Sequence, residues 1–275
     1  MTLGEVLKRS TEYLERKGVD SPRLDAERLL AHTLGLTRIE VYMDLERPLI
    51  AAELQLAREL IERRGKREPL AYILGEWGFR NLVLKTDARA LVPRPETEVV
   101  VERCLELLEG AEAPRVLDVG TGTGAIALAI AQELPGARVT ALDLSLDALA
   151  LARENMERSG VEVELVQGDF HDRLPGGPYD LIASNPPYVE PEELEELQAE
   201  VREFEPRMAV IGEEFPEAVA RAATAALRPG GWLVMETHAA RGPATAALLA
   251  ELGYVDVRIS PDLAGRDRVA EARLA

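Results

Sequence analysis

The sequence predicts an α/β protein: a doubly wound, mostly parallel seven-stranded sheet with an antiparallel edge hairpin, preceded by a small all-α N-terminal domain. Three observations predict this architecture. Residues 1–64 carry apolar side chains at helical spacing. After Pro114, short apolar runs alternate with helical patterns, which is typical of parallel βαβ units with helices on both faces. Two extended segments, 253–260 and 267–274, then predict the edge hairpin.

The helical part and its connection define the predicted domain boundaries. Ser21 and Pro22 are typical of an N-cap and a first helical position, so a new helix is expected to begin there. Between residues 69 and 95 the pattern changes to short extended pieces with glycine and proline, which indicates a β-hairpin linker. The sequence therefore predicts a helical domain over 1–68, a linker over 69–95 and an α/β domain over 96–275.

The apolar runs of the α/β domain are short enough to be buried strands rather than helices. They span 115–119, 138–142, 163–166, 180–184 and 231–235.

Composition is that of a globular protein and excludes several kinds of site. Apolar residues make up 47% of the 275 residues and charged residues 29%, and no apolar run is long enough to span a bilayer. The single cysteine, Cys104, excludes an intrachain disulfide, and its apolar helical surroundings predict a core thiol. The three histidines lie far apart in the sequence, so we expect no metal site. With no signal-peptide pattern, we expect a cytoplasmic protein without a membrane partner.

Charge is distributed unevenly along the chain. Residues 1–85 carry 15 Lys and Arg against 14 Asp and Glu, whereas the remainder carries 17 against 35. The stretch Glu190–Glu205 alone has eight acidic residues and one arginine. Because nucleic-acid affinity depends largely on neutralising phosphates, we expect no direct nucleic-acid partner.

A glycine-rich loop follows the first predicted parallel strand in the segment RVLDVGTGTGAIALAIA. Glycines at this position permit a tight turn and let a ligand approach the backbone. The spacing is G-x-G-x-G rather than the dinucleotide fingerprint G-x-G-x-x-G. The candidate ligand-binding residues of this segment are Asp118, Gly120, Thr121, Gly122, Thr123 and Gly124.

Acidic and aromatic residues follow the next two predicted strands. Asp143 lies about 20 residues beyond the loop, where a carboxylate can accept hydrogen bonds from ribose hydroxyls. Asp169 and Phe170 suit the exocyclic amine and the ring face of an adenine. Taken singly, Asp143 is as well explained by a helix N-terminus and Phe170 by the core. Together at adjacent strand ends, and without the basic residues of a pyrophosphate site, they favour S-adenosylmethionine as the cofactor.

The fourth predicted strand ends in Asn185, Pro186, Pro187 and Tyr188. In a doubly wound sheet this strand lies beside the first, which places the tetrapeptide next to the glycine loop. The prolines have no N–H, so the pocket is rich in acceptors and poor in donors. Such a pocket suits a planar –NH2 group that attacks a methyl carbon, with Tyr188 packed flat against it. By itself the tetrapeptide is also explained as a turn.

Amino-methylating enzymes that this motif resembles include DNA adenine and cytosine methyltransferases, guanine-N2 ribosomal RNA methyltransferases and protein-glutamine methyltransferases. Two further segments, REPLAYILGEWGF (67–79) and LVPRPETE (91–98), resemble the release factor glutamine methyltransferase family, also called HemK or PrmC. The resemblance covers nearly the whole chain. It implies the class I S-adenosylmethionine-dependent methyltransferase fold. It also implies N5-methylation of the glutamine in the Gly-Gly-Gln loop of class 1 peptide-chain release factors, with the helical domain helping to recognise that partner.

The resemblance also implies roles for individual residues. Gly120, Gly122 and Gly124 would line the cofactor, Asp143 would hold its ribose and Phe170 its adenine. The tetrapeptide at 185–188 would bind the glutamine amide, and Asn185 would contact the cofactor as well. Arg94, Glu96 and Thr97 of the LVPRPETE segment would brace the site or serve the structure only.

The segment METHAARGPATAALL departs from the family pattern. We therefore expect Glu236 and His238 to lie in a solvated loop. Two alternatives stay open at this point: a nucleic-acid amino-methyltransferase, acting on adenine N6 or ribosomal guanine N2, and a non-catalytic module that binds an adenosyl ligand.

Overall fold

The protein was analysed as a computed structural model, which describes residues 1–171, 174–212, 214–262 and 264–275. The chain packs as two compact units. The first comprises Met1–Gly75 together with Gln198–Phe204, and the second comprises Glu76–Leu197 together with Glu205–Ala275. The predicted boundaries at residues 68 and 95 stay predictions; by packing, the chain divides at Gly75.

The helices are α1 (Leu3–Arg16), α2 (Pro22–Leu34), α3 (Arg38–Met43), α4 (Ala51–Gly65), α5 (Leu70–Leu74), α6 (Pro95–Leu107), α7 (Ala125–Glu133), α8 (Leu146–Ser159), α9 (Ala199–Phe204), α10 (Phe215–Ala226) and α11 (Gly242–Glu251). The strands are β1 (Glu76–Phe79), β2 (Leu82–Lys85), β3 (Arg115–Val119), β4 (Arg138–Asp143), β5 (Glu164–Gln167), β6 (Tyr179–Ser184), β7 (Leu227–Glu236), β8 (Tyr254–Pro261) and β9 (Asp267–Leu274).

The first unit is a helical bundle with local start and stop signals. Thr2 caps α1 in a reciprocal capping box with Glu5, and α2 begins at Pro22 as predicted. The sequence pattern indicated extended chain after residue 69, but Leu70–Leu74 is a short helix. It follows Pro69 at the N-cap and ends at Gly75, whose left-handed conformation (φ 74°) stops the helix.

The segment Gln198–Phe204 belongs to the first unit although it lies between β6 and β7 in the chain. A buried ion-pair cluster holds it there. The guanidinium of Arg64 is 2.7 Å from Asp25 and 2.7 Å from Glu200, and Arg67 donates to both oxygens of Glu200. Arg64 and Arg67, which belong to the basic run at residues 63–67, are thus paired within their own unit.

The second unit contains the seven-stranded sheet, in the order β5-β4-β3-β6-β7-β9-β8. The strands from β5 to β7 are parallel, whereas β9 pairs antiparallel with both β7 and β8. This confirms the predicted fold class, including the edge hairpin and the pairing of the first and fourth strands. The separate hairpin of β1 and β2 precedes the sheet.

Helices cover both faces of the sheet, which explains its near-continuous apolar strands. One core cluster includes Val100 of α6 and Ile126 of α7, and the other includes Val219 of α10 and Leu249 of α11. Cys104 is fully buried in the first cluster, as predicted for a core thiol. None of the helices within the described ranges is long and apolar enough to cross a membrane.

The strand register aligns the carboxyl ends of β3, β6 and β7. Val119 pairs with Ser184, and Ser184 pairs with Met235. The residues that follow, which are Gly120, Asn185 and Glu236, are therefore adjacent at the carboxyl edge of the sheet.

Candidate active site

A cavity of about 290 Å³ lies at the carboxyl ends of β3, β4, β5 and β6. This is the edge at which open α/β sheets bind ligands. Most of the residues that the sequence predicted as ligand-binding line it: Gly120, Thr121, Gly122, Thr123, Asp143, Asp169, Phe170, Asn185 and Pro187. The other four predicted residues, Asp118, Gly124, Pro186 and Tyr188, stand outside this lining. Their predicted contacts with ligands stay predictions.

One wall of the cavity, which we call the glycine-loop side, comprises Gly120–Thr123, Asp143, Asp169 and Phe170. Gly120, Gly122 and the adjoining Gly124 all have positive φ (74°, 55° and 84°), a conformation that L side chains rarely adopt. The Asp143 carboxylate accepts hydrogen bonds from the backbone N–H of Gly122 (2.8 Å) and of Ser145 (2.9 Å). Burial raises the pKa of Asp143, and these backbone bonds oppose the rise.

Asp118 lies beneath this wall rather than in it, with no exposed surface. Its Oδ2 accepts from the Thr121 hydroxyl (2.6 Å) and from the backbone N–H of Ala127 (3.2 Å). Its Oδ1 has no hydrogen-bond partner among the described residues. Because the carboxyl group is fully buried, its pKa rises to about 7. Asp118 therefore braces the turn of the loop from behind.

Aromatic rings form the part of the wall that follows β5. Phe170 meets Phe215 edge to face, with ring centroids 5.4 Å apart, and His171 lies 4.6 Å from the Phe170 ring. Asp169 accepts from the backbone N–H of His171 (2.9 Å), which fixes the turn that presents these side chains. Phe215, at the start of α10, was not predicted from the sequence.

The residues around Asn185 form a second group, which we call the Asn185 side. Thr97 and Asn185 line the cavity, whereas Tyr188 and Glu236 lie outside its lining. Asn185 Nδ2 donates to Thr97 Oγ1 (3.1 Å), and the Thr97 hydroxyl donates to Glu236 Oε2 (2.7 Å). Tyr188 donates to the other oxygen, Glu236 Oε1 (2.9 Å), and Arg268 donates to the Tyr188 hydroxyl (3.3 Å). The four side chains thus form one connected network.

The expectation of a solvated loop at Glu236 is wrong. Glu236 ends β7 with only 2% of its surface exposed, because the sheet register places it next to Asn185. Burial raises the pKa of this carboxyl group, while the bonds from Thr97 and Tyr188 oppose the rise. Burial and the neighbouring Glu236 also raise the pKa of Tyr188, so its phenol stays a donor. His238 lies two residues further along the chain, with its ring 6.0 Å from that of Tyr188.

Two arginines hold the chain around the site and neutralise part of the acidic stretch. Arg94 lines the cavity and donates to both oxygens of Glu205, at 2.6 and 2.7 Å. Arg241 bonds the carbonyl oxygen of Tyr188 and pairs with Glu190. Several carboxylates of Glu190–Glu205 are therefore ion-paired, and this stretch is a weaker argument against a nucleic-acid partner than its sequence suggests.

Sequence reasoning missed a further set of lining residues. The rule that ligands bind at the carboxyl ends of parallel strands could not identify them. They lie in segments that precede β3 or follow the 3-10 turn Pro191–Glu196. The predicted linker supplies Arg89, Ala90, Leu91 and Val92, and the chain after α9 supplies Pro206, Met208, Ala209 and Ile211. A sequence signal for the first group was the segment LVPRPETE (91–98), which includes Leu91 and Val92.

The lining residues fit an adenosyl cofactor. A methyl group added at Gly120 would meet no protein atom within 4 Å, so the loop leaves open space there. A carboxylate has about four lone-pair positions, of which the two backbone bonds to Asp143 use two, so it can still accept from a vicinal diol. Phe170 and Phe215 provide an apolar wall for a base.

Comparison with known proteins is consistent with this site. A model of the PrmC N-terminal domain matches residues 5–75, and a model of the methyltransferase small domain matches residues 98–204. The T. thermophilus 16S rRNA N2 G1207 methyltransferase, solved with AdoMet and guanosine, is 20% identical with a TM-score of 0.53. The match covers 73% of this chain and 50% of that one, and it supports the fold alone.

Two curated relatives match over nearly their full length. The release factor glutamine methyltransferase of Chlorobaculum tepidum is 43% identical over 279 residues, which cover 96% of this chain and 94% of that protein. The release factor glutamine methyltransferase of Deinococcus radiodurans is 44% identical, over 100% of this chain and 99% of that protein. This chain therefore belongs to the release factor glutamine methyltransferase family.

Proposed function

We propose that this protein transfers a methyl group from S-adenosylmethionine to the side-chain amide nitrogen of the glutamine in the Gly-Gly-Gln loop of class 1 release factors. The observation that carries the proposal is the Asn185 amide, which lines the cavity beside the glycine loop while its own N–H is bonded to Thr97. The reaction belongs to translation termination, and we place it in the cytoplasm.

The glycine-loop side is the proposed cofactor site. Backbone groups of Gly120–Gly124 approach the cofactor, Asp143 accepts from its ribose hydroxyls, and Asp169 and Phe170 hold its adenine. Asp118 acts through the loop, because none of its surface is exposed. When bound, S-adenosylmethionine supplies a methyl group on a positively charged sulfur, which makes the methyl carbon electrophilic.

The Asn185 side is the proposed acceptor site. Asn185 Oδ1 and the carbonyl of Pro186 accept the two N–H groups of the glutamine amide, and Pro187 and Tyr188 confine its plane. These acceptors hold the nitrogen lone pair toward the methyl carbon. The nitrogen becomes positively charged as it reacts, so its hydrogen bonds to fixed acceptors strengthen in the transition state. The proton can leave after transfer, so no strong base is required.

Recognition of the protein substrate is assigned to the helical region at 1–68. The match of residues 5–75 to the model of the PrmC N-terminal domain supports this proposal, because that model belongs to this family rather than to methyltransferases in general.

The test is transfer of labelled methyl from S-adenosylmethionine to three acceptors: a class 1 release factor, the same factor with its loop glutamine replaced by alanine, and DNA or RNA. We expect label only in the unmodified factor. Label in the alanine-substituted factor would show a different acceptor residue. Label in nucleic acid but not in the release factor would refute the proposal in favour of a nucleic-acid amino-methyltransferase.

A further inference from the structure

In the hydrogen bond between Thr97 and Glu236, Thr97 is the donor. This determines which end of the Asn185 amide faces Thr97. In the structure the Thr97 hydroxyl donates to Glu236 Oε2 and the Tyr188 hydroxyl donates to Glu236 Oε1. The Thr97 hydroxyl has one hydrogen, and Glu236 takes it. Toward Asn185 the hydroxyl can therefore only accept, which requires the –NH2 group of Asn185 to face Thr97.

An asparagine amide needs a neighbouring group to fix its orientation, because its oxygen and its –NH2 group are nearly equal in size. Rotation by 180° exchanges a donor for an acceptor with little change in shape. With the –NH2 group toward the cavity, Asn185 would oppose the N–H groups of an incoming amide. A free Thr97 hydroxyl could donate to Asn185 Oδ1 and stabilise that wrong orientation.

We infer that Thr97, held by Glu236, is a positioning residue whose hydroxyl fixes the Asn185 amide with its oxygen toward the cavity. The inference rests on the proposed function, because it assumes that the acceptor presents N–H groups. Thr97 is 4% exposed and Glu236 2%, so water does not compete for these bonds. The remaining charged neighbours are Arg268, from β9, which bonds the Tyr188 hydroxyl, and Glu96, beside Thr97 in the first turn of α6.

The first test compares Thr97→Val, which keeps the shape but removes the hydroxyl, with Thr97→Ser, which keeps the hydroxyl. We expect the valine variant to lose kcat by about tenfold or more, whereas serine restores it to within about threefold of the parent. The KM for release factor and the affinity for S-adenosylhomocysteine should change far less than kcat in both.

Thr245→Val is the matched control. Thr245 is 7% exposed and shares a 3.0 Å hydrogen bond with the Thr237 hydroxyl, so the variant also removes a buried hydroxyl and its bond. We expect it to lower the melting temperature as much as Thr97→Val without the loss of kcat. An equal loss of kcat in Thr245→Val, or in Thr97→Ser, would reduce Thr97 to a structural role and overturn the inference.

Glu236 is tested by a double-mutant cycle. If Glu236 acts through Thr97, then Glu236→Ala should lower kcat about as much as Thr97→Val, and the double variant should fall little further. Additive losses, or full activity in Glu236→Ala, would contradict the chain of contacts. If the alanine variant fails to bind S-adenosylhomocysteine, Glu236→Gln replaces it; its amide oxygen can still accept from Thr97, so we expect it to retain activity.

The NMR signals of the side-chain amides give a readout that does not depend on activity. Their spectrum is simple because the chain has three asparagines and four glutamines. Asn185→Ala identifies the Asn185 –NH2 signals. In Thr97→Val these signals should shift and exchange faster with water, while those of Asn155, which donates to Lys85 O and Thr123 O, should not change. An unchanged Asn185 signal would overturn the inference. This spectrum tests the contact even if the protein fails to methylate a release factor, so the two failures are distinguishable.

Discussion

The glycine-loop side and the Asn185 side are built in different ways. On the glycine-loop side, Asp143 is fixed by backbone N–H groups 21 and 2 residues away in the chain. On the Asn185 side, the three bonds that link Thr97, Asn185, Tyr188 and Glu236 each join two side chains, and the partners are 88, 139 and 48 residues apart. The glycine-loop side is held by backbone groups of the turns at neighbouring strand ends, whereas the Asn185 side exists only because β6, β7 and α6 meet at one edge of the sheet.

This difference determines how each side responds to substitution. Backbone N–H donors remain when a side chain is replaced. A single substitution on the glycine-loop side should therefore remove only part of the binding free energy of the cofactor. A side-chain network loses its geometry when one member is removed, because the others are left buried and unpaired. Damage to the Asn185 side should therefore appear in kcat.

The largest expected effect separates the two sides directly. Asn185→Ala removes the acceptor that the transition state needs, and we expect kcat to fall by about 10²–10³-fold with a much smaller change in cofactor affinity. Asp143→Ala removes a charged acceptor of the cofactor, and we expect its affinity to fall by about 10–100-fold, more than kcat. Methyl-transfer kinetics and calorimetric titration with S-adenosylhomocysteine measure both quantities. The comparison fails if the two variants show the same pattern.

The same difference explains what could be predicted from the sequence. The parallel strands, the glycine loop and Asp143 were predictable because periodicity and turn chemistry are local. The position of Asn185 beside the loop followed from the rule that places the fourth strand next to the first, and the register of Val119 with Ser184 confirms that neighbour relation.

Glu236 could not be predicted in the same way. The residue is the last of β7, in a segment that departs from the family pattern, and nothing near it in the chain indicates a partner. Its burial depends on β7 reaching the level of β6, while Thr97 comes from α6 on another part of the chain. Phe215 is a similar case, because its contact with Phe170 depends on where α10 begins.

The next largest effect concerns Asp118, the carboxyl group beneath the glycine-loop side. Its pKa is about 7 in the folded protein against an ordinary value of 3.8. Below about pH 4 the group is protonated in both states, so its contribution to stability is fully present. As the pH rises toward 7 the unfolded chain releases the proton while the folded chain retains it, and that stability is lost.

Asp118→Asn has no titrating group but keeps an oxygen for Thr121 and Ala127. The free energy of unfolding of the parent, relative to this variant, should therefore fall by about 3 kcal/mol between pH 5 and pH 8. Urea unfolding at both pH values measures the difference. A constant difference would mean that Asp118 is paired or hydrated in the folded protein.

The smallest expected effect concerns Gly120. It tests whether a side chain is excluded there because a ligand occupies the space, or only because the backbone is left-handed. Gly120 and Gly160 have similar positive φ (74° and 68°), and a methyl group at either would meet no protein atom within 4 Å. Gly120 lines the cavity, whereas Gly160 ends α8.

Both alanine variants should lose about 1–2 kcal/mol of stability from the left-handed backbone. Only Gly120→Ala should also weaken S-adenosylhomocysteine binding, by about tenfold, because its methyl group occupies ligand space. Equal affinity in the two variants would mean that Gly120 is required for the turn alone, and that the glycine-loop side contacts the cofactor elsewhere.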